Sequence, residues 1–398
     1  MRVIRYDMVR MEPTTPRERV RQRVQEKALT IEGRRDAWIA SLRTIRSAPL
    51  ELIPDFPEVA RRWIDWWAFN ADRPLIVGQT VQDRNWRWDK AFDLLDKPFE
   101  WLEVRRGQVE RTRHAGESLP FVRVDIGPVA MGPFLGAPLH LAEKEQTSWQ
   151  TPTIESWDEE PLLKADPANE WLVKVLSLME LLAEDARGRY LVCLPDLTGA
   201  LDLLANMRST EKLCFDLWEH RGEVLRAAQR AVDAWEDVFV RMYDLVLSKG
   251  AGITQWVSCW ADSPFTVPTC DFNALIGPDD FREVCMPSLK EQARRAGLCV
   301  FHLDGPDAAR HAEILADDPD ITAVQFTPGA GTPSALAQLP LLKMIQERRV
   351  PLFIETEYHE VKELAQELDP RGTAIRVREL EGPKQADELI AWRDRTFA

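Results

Sequence analysis

The sequence reads Leu298-Cys-Val-Phe-His302-Leu-Asp304-Gly-Pro306 at the point that decides its fold. An apolar run ends there at a Gly-Pro pair and a helical pattern follows, which predicts a strand, a tight turn and a helix. Side chains two positions apart share one face of a strand, so His302 and Asp304 are expected on the same face as Val300. Both polar side chains are therefore expected at the carboxyl end of a buried strand, where parallel α/β proteins keep their chemistry.

Alternating strands and helices continue from this stretch to the end of the chain. The apolar runs at 321–327, 350–355 and 373–377 are predicted strands, and helical patterns separate them. Earlier candidate strands lie at 75–78, 121–125, 190–196 and 252–258. Connections of this length join parallel strands through helical crossovers. About eight strands of this kind predict an α/β fold closed into a (β/α)₈ TIM barrel, with an open doubly wound sheet as the alternative.

The N-terminal part of the chain has a different pattern. Residues 1–70 are polar and helical in pattern, and we interpret them as an N-terminal helical extension of a barrel domain at 71–398. Residues 85–116 also have a helical pattern. Six tryptophans lie close together between residues 63 and 101, namely Trp63, Trp66, Trp67, Trp86, Trp88 and Trp101. We interpret them as packing residues, and an aromatic wall beside a large planar or cationic ligand is the alternative.

Composition argues against several classes of function. The net charge of −14 argues against a nucleic-acid partner, because phosphate binding needs concentrated lysine and arginine. The sequence has no apolar run long enough to cross a bilayer, so a membrane protein is not expected. The six cysteines form no CxxC pair and no apolar signal opens the chain, which favours reduced thiols and a cytoplasmic location.

Further polar residues follow other predicted strands. Asp196 ends its apolar run as Asp304 does, and Asp271 and Gln325 are also expected at strand ends. These placements make Asp196, Asp271 and Gln325 candidate catalytic residues that orient a substrate. The alternative for the two carboxylates is a helix or turn cap, since carboxylates near helix starts stabilise exposed N–H groups.

Two more kinds of candidate lie near strand ends. Trp256 and Trp260, at the end of the run 252–258 and just beyond it, are the substrate-binding candidates. Glu355 ends the strand 350–355 and is a candidate for the third ligand of a metal held by His302 and Asp304.

Three motifs give the chain a family resemblance over roughly residues 120–398. They are Asp271-Phe-Asn-Ala-Leu-Ile-Gly-Pro-Asp-Asp-Phe281 followed by Pro287, Val300-Phe-His-Leu-Asp-Gly305 with His311, and Val324-Gln-Phe-Thr-Pro-Gly-Ala-Gly331. With these motifs the chain resembles the uroporphyrinogen decarboxylase superfamily. That superfamily includes the decarboxylase and zinc-dependent methyltransferases that act on methyl-corrinoid proteins and thiols. The resemblance implies a (β/α)₈ barrel, in agreement with the strand pattern.

The methyltransferase branch of this superfamily implies a zinc site, from which the present sequence departs. On the matching strand that branch carries His-x-Cys, and a further cysteine near the last strand completes the site. This chain has His302-x-Asp304 instead, with Glu379 near the position expected for the last cysteine. Histidine and carboxylates can still hold Zn²⁺, but oxygen ligands make the metal more Lewis acidic and widen the choice of metals. The implied third ligand is Glu379 or Glu355.

The leading hypothesis is a metal-dependent methyltransferase or demethylase. A zinc ion would polarise a small-molecule substrate, and a corrinoid carried by a partner protein is the implied second cofactor. Barrels of this superfamily often pair, so a homodimer is a further expectation. Two alternatives stay open: a metal-free decarboxylase or related lyase that uses inward carboxylates, and a non-catalytic ligand-binding or scaffold protein on the same barrel.

Overall fold

The computed structural model describes residues 30–82, 92–142, 147–158, 163–166, 168–329 and 334–398. Residues 1–29 of the predicted extension, together with Trp86 and Trp88, lie outside these ranges. The strands are β1 (Leu75–Val81), β2 (Thr112–Gly116), β3 (Phe121–Arg123), β4 (Leu139–Ala142), β5 (Thr147–Gln150), β6 (Leu191–Cys193), β7 (Gly252–Thr254), β8 (Phe265–Thr266), β9 (Leu298–Asp304), β10 (Ala323–Thr327), β11 (Leu352–Thr356) and β12 (Thr373–Val377).

Helices connect most of these strands. They are α1 (Ile31–Arg46), α2 (Phe56–Trp67), α3 (Pro98–Glu110), α4 (Met131–Phe134), α5 (Glu170–Ala186), α6 (Ala200–Arg208), α7 (Thr210–Glu219), α8 (Arg221–Ser248), α9 (Pro278–Asp280), α10 (Met286–Ala296), α11 (Gly305–Ala308), α12 (Ala312–Ala316), α13 (Leu339–Glu347), α14 (Val361–Glu367) and α15 (Pro383–Thr396). None of the described helices has the length and apolar content needed to cross a bilayer.

The strands form three hydrogen-bonded sheets. The largest has seven strands in the order β2-β1-β12-β11-β10-β9-β8, in which β1 and β2 are antiparallel and all other neighbours are parallel. A second sheet, β3-β6-β7, is parallel throughout, and β4 pairs with β5 as an antiparallel hairpin. The protein is therefore a mixed α/β structure with a mostly parallel central sheet, which confirms the predicted α/β class.

Strands β9 and β10 lie next to each other with a register that decides the neighbours of His302. Helix α10 ends at Ala296 and is capped by Gly297, whose φ of 103° lies in the left-handed region that favours glycine; β9 begins at the next residue. The parallel pairing aligns His302 with Gln325 and Asp304 with Thr327. Aligned residues of neighbouring strands have side chains on the same face, so His302 and Gln325 meet there.

Tryptophans of the N-terminal helices pack on the rest of the chain. In α2, the Nε1–H of Trp63 donates to the Glu117 carbonyl at 3.0 Å and that of Trp66 to the Leu352 carbonyl at 3.2 Å. Both indole rings are fully buried, and Trp38 of α1 is buried as well. An indole that fills apolar space and satisfies its single donor fits the packing role predicted for these residues. The domain boundary at residue 70 stays a prediction.

One segment departs from its predicted structure. Residues 85–116 have a helical pattern, but Thr112–Gly116 forms β2 after α3 has ended. This strand pairs antiparallel with β1, and His114 lies opposite Gln79. Pairing with the edge of β1 satisfies backbone N–H and C=O groups of both strands, and this tertiary contact outweighs the local helical preference.

Candidate metal and substrate site

Three side chains that can bind a metal ion meet at the carboxyl end of β9. His302 and Asp304 belong to β9, and Asp271 begins the 3₁₀ turn Asp271–Leu275. Each residue offers one ligand atom, and these atoms all lie within 4.8 Å of one another. His302 is half-buried, whereas the two aspartates are exposed. The donor set is therefore one imidazole nitrogen and two carboxylate oxygens.

Gln325 fixes the imidazole ring of His302. The Oε1 atom of Gln325 is hydrogen-bonded to Nδ1 of His302, and its Nε2 donates to the Thr327 hydroxyl at 2.6 Å. Because an amide oxygen can only accept, Nδ1 of His302 carries the proton and Nε2 keeps its lone pair in the neutral ring. The fully buried Gln325 thus leaves Nε2 as the nitrogen of His302 that could bind a metal ion. The Trp256 ring packs edge to face against His302, with 5.0 Å between ring centroids.

Asp196 lies just beyond the end of β6 and is half-buried. Its Oδ1 accepts a hydrogen bond from the Thr198 N–H at 2.9 Å. Burial raises the pKa of the Asp196 carboxyl to about 6, against the opposing effects of the Thr198 hydrogen bond and the Arg123 guanidinium. A carboxyl with this pKa can hold or release a proton close to neutral pH.

The Asp271 carboxyl also has a perturbed pKa. Although part of the side chain is exposed, burial of the carboxyl and the negative charge of Asp202 raise its pKa to about 6. The carboxylates of Asp304 and Asp196 act in the same direction, and His302 opposes them. A cation at this position would relieve the repulsion among these carboxylates.

A cavity of about 520 Å³ adjoins the metal-ligand group. Its polar lining includes Arg123, Asp196, Asp202, Asp271 and His302, and its apolar lining includes Pro128, Val129, Trp256, Phe272 and Leu275. Arg123 is ion-paired with Asp125. Convergent polar groups beside apolar walls are typical of small-molecule sites. A larger cleft of about 650 Å³ lies on the surface between α10 and α12 and is lined by none of these residues.

The structure brings most of the predicted site residues together. Four of the nine line this cavity, namely Asp196, Trp256, Asp271 and His302. Asp304 belongs to the metal-ligand group, and Gln325 is hydrogen-bonded to His302. Two charged residues of the cavity, Arg123 and Asp202, were not among the predicted ones. Asp202 had a sequence signal, because it is an acidic residue in the first turn of the helix that follows Asp196.

Three predicted residues lie elsewhere. Trp260 is fully buried in the core and packs edge to face on Phe56, and it is not among the residues that line the cavity. Glu355 forms an ion pair with Arg376 at 3.2 Å, and Glu379 is an exposed residue beyond the end of β12. Among the described residues, the carboxylate that joins His302 and Asp304 is therefore Asp271, rather than Glu355 or Glu379.

Comparison with known proteins shows a similarity of fold. No protein-family model and no curated protein matches the chain. Among solved structures, the chain is similar to a methyltransferase from Methanosarcina mazei, with a TM-score of 0.56 and 13% sequence identity. The similarity covers 85% of this chain and 99% of that chain. At this identity it establishes a shared overall fold and leaves the activity to be argued from the site.

Proposed function

We propose that the protein is a metal-dependent methyltransferase or demethylase on a (β/α)₈ barrel of the uroporphyrinogen decarboxylase type. The observation that carries the proposal is the meeting of Asp271, His302 and Asp304 beside a cavity at a strand carboxyl end. The fold shared with the M. mazei methyltransferase supports methyl transfer as the reaction class. The sequence resemblance to the superfamily supports the same choice.

The proposed barrel consists of eight parallel strands. They are β1, β3, β6, β7, β9, β10, β11 and β12. Five of them, from β9 through β12 to β1, form one continuous parallel run, and the other three form the second parallel sheet. Closure of the two sheets around a common core would put all their carboxyl ends on one rim, where barrel enzymes carry their active sites.

The residues present fit a zinc ion. One imidazole and two carboxylates are ordinary zinc ligands, and three protein ligands leave a fourth position for substrate. Because Gln325 accepts from Nδ1, Nε2 of His302 would be the nitrogen that binds the metal. The absence of a thiolate from this group makes Mn²⁺ and other metals that prefer oxygen ligands acceptable alternatives.

The chain's own residues supply substrate binding and proton handling. When bound, a zinc ion would act as a Lewis acid on a substrate oxygen, nitrogen or sulfur atom. The apolar residues of the cavity, including Trp256, would hold the methyl-bearing part of the substrate. Because Oδ1 of Asp196 accepts from Thr198, Oδ2 is the atom on which Asp196 holds a mobile proton for the leaving heteroatom.

The methyl acceptor in this proposal is a corrinoid held by a partner protein. Both the corrinoid partner and a homodimer are proposed from the sequence resemblance. The cytoplasmic location is proposed from the cysteine pattern.

Metal analysis of purified protein tests the function directly. Wild-type protein is expected to contain near-stoichiometric zinc by mass spectrometry, and His302→Ala and Asp271→Ala are expected to lose most of it. Glu379→Ala is the matched control, because it removes an exposed carboxylate outside the group and should keep the metal. No metal in any of these proteins, even after zinc is supplied, contradicts the proposal. So does methyl transfer that survives removal of every divalent metal.

A metal-free decarboxylase or related lyase is the second candidate. Two carboxyl groups of the site, Asp196 and Asp271, have a pKa of about 6, which suits proton donation to a carbanionic product. This candidate predicts decarboxylation with full activity in the presence of a chelator. It also predicts that Asp196→Asn lowers kcat more than His302→Ala does.

A further inference from the structure

Asp202 is the centre of a hydrogen-bond network behind the candidate metal group. It lies in the first turn of α6, is buried, and belongs to none of the motifs that carry the family resemblance. We propose that Asp202 is a positioning residue, which holds Asp271 in the metal group and connects it to Asp196. This inference rests on the proposed function for its effect on metal binding, but its structural basis is independent of any metal.

The carboxylate of Asp202 accepts three hydrogen bonds from the segment that carries Asp271. Its Oδ2 accepts from the Thr269 hydroxyl at 2.6 Å and from the Asp271 N–H at 2.9 Å. Its Oδ1 accepts from the Phe272 N–H at 3.0 Å. One side chain therefore fixes both the backbone of Asp271 and the start of its 3₁₀ turn. Such outer partners orient the ligands of metal sites.

The same network reaches Asp196 through two hydroxyl groups. The Thr269 hydroxyl gives its proton to Asp202, so it must accept from the Thr198 hydroxyl, which lies 2.7 Å away. The backbone N–H of Thr198 donates to Oδ1 of Asp196 at 2.9 Å. Thr198 and Thr269 thus connect the Asp196 carboxylate with the Asp202 carboxylate, which accepts from the backbone N–H of Asp271.

The backbone around this network is built for close contact. Thr198 has a φ of 47°, in the left-handed region that a β-branched residue rarely adopts. At Gly199, a Cβ atom would lie 2.1 Å from the Thr269 carbonyl oxygen, so only glycine allows the two segments to approach this closely. Strain of this kind persists where surrounding contacts over-determine it, and it is frequent at functional sites.

Replacement by asparagine separates the chemistry of Asp202 from its shape. All three partners of the side chain are donors, so the position needs two acceptor oxygens. Asparagine has nearly the same volume but replaces one oxygen by an NH₂ group, which would face an N–H or O–H donor. In Asp202→Asn the segment around Asp271 is therefore expected to lose at least one of its anchors.

Hydrogen exchange in the metal-free, full-length protein tests the positioning role. Asp202→Asn is expected to speed exchange of the Asp271 and Phe272 amides about tenfold or more, since their acceptor is disturbed. Asp216→Asn is the matched control: Asp216 is also buried, but it pairs with Arg208 at 2.8 Å, so its loss should leave these two amides unchanged.

A pair of substitutions at Thr269 tests the path to Asp196. Thr269→Val removes the hydroxyl at nearly constant shape and is expected to speed exchange of the Thr198 amide severalfold. Thr269→Ser keeps the hydroxyl and is expected to retain wild-type exchange, so it controls for the loss of the methyl group. Wild-type exchange in both Asp202→Asn and Thr269→Val would overturn the proposal.

Zinc affinity measured by competition with a chromophoric chelator gives the second readout. Asp202→Asn is expected to weaken Zn²⁺ binding by about 10- to 100-fold, as is usual for outer partners of metal ligands. Asp216→Asn should bind as the wild type does. Unchanged affinity in Asp202→Asn, with zinc bound by the wild type, contradicts the role in the metal group. A wild-type protein that binds no zinc defeats the proposed function instead, and exchange alone then decides whether Asp202 holds Asp271.

Discussion

Two groups of carboxylates lie at opposite ends of the parallel strands, and their negative charge is neutralised to different extents. Near the amino end of β1, the Glu117 carboxylate is fully buried and accepts from the Ile76 N–H at 2.9 Å. It also pairs with three guanidinium groups, those of Arg393 at 2.5 Å, Arg62 at 3.3 Å and Arg73 at 3.5 Å. The buried charge of Glu117 is therefore compensated by protein groups alone.

At the carboxyl end of β9, negative charge is in excess. Four aspartates, Asp196, Asp202, Asp271 and Asp304, lie around the cavity and the metal-ligand group. The guanidinium that lines the cavity, that of Arg123, is already paired with Asp125. The difference teaches that the Glu117 carboxylate is neutralised by the fold itself, whereas the aspartate cluster would be stabilised by a cation, as the proposed function requires.

The largest effect in this comparison is expected from Glu117→Gln. The substitution keeps the shape but removes the charge that faces Arg62, Arg73 and Arg393, so these guanidinium groups lose the buried carboxylate that they share. We expect the free energy of unfolding in urea to fall by about 3–5 kcal/mol, as for other broken buried pairs. Zinc affinity of the folded fraction should not change, because Glu117 lies outside the cavity.

A carboxylate on the same surface provides the control for this prediction. Glu58 also pairs with Arg62, at 3.1 Å, but half of its side chain is exposed. Glu58→Gln should therefore cost less than about 1 kcal/mol. If both variants lose the same small amount, the Glu117 cluster does not stabilise the fold in the way its burial indicates.

A smaller effect is expected from Asp196→Asn, and it depends on pH. The pKa of Asp196 is raised from 3.8 to about 6, so between these values the unfolded chain gives up its proton first and ionisation favours unfolding. In metal-free wild type, the contribution of Asp196 to the free energy of unfolding should fall by an amount on the order of 2 kcal/mol from pH 4 to pH 6 and then level off. Asp196→Asn lacks this contribution.

Urea unfolding of both proteins in chelator, from pH 4 to pH 7, measures the difference. Relative to wild type, Asp196→Asn should gain stability as the pH rises through this window. If the two proteins differ in their free energy of unfolding by the same amount at every pH, Asp196 ionises normally. Its negative charge is then not unfavourable in the folded protein.

The sequence predicts the strands well because buried parallel strands are continuous apolar runs with clear ends. His302 and Asp304 could be assigned to a strand end on this basis alone, and the shared face followed from the two-residue spacing. The pairing of Gln325 with His302 could not be predicted from the sequence, because it depends on the register between β9 and β10. Registers between strands far apart in sequence are set by the packing of the whole sheet.

The sequence could not predict the third member of the metal-ligand group for a related reason. Asp271 lies in a segment without periodicity, and that segment contacts Gly199 and is anchored by Asp202 of α6, two long-range contacts that no local pattern shows. Glu355 had the better sequence signal, at the end of a predicted strand. The register of β11 with β12 puts it beside Arg376, and this neighbour is invisible in a single strand.

Glu355 also provides the smallest predicted effect. It lies near the carboxyl end of β11 but has the kind of compensation seen at Glu117, since Arg376 is 3.2 Å away. Because about a third of the Arg376 side chain remains exposed, Glu355→Gln should cost only about 0–1 kcal/mol in urea unfolding. Zinc affinity should stay within twofold of wild type, because a carboxylate neutralised by a guanidinium does not need a metal. A tenfold loss of zinc affinity would indicate that Glu355 is the third ligand after all. An arginine partner would then not distinguish structural carboxylates from metal-binding ones in this fold.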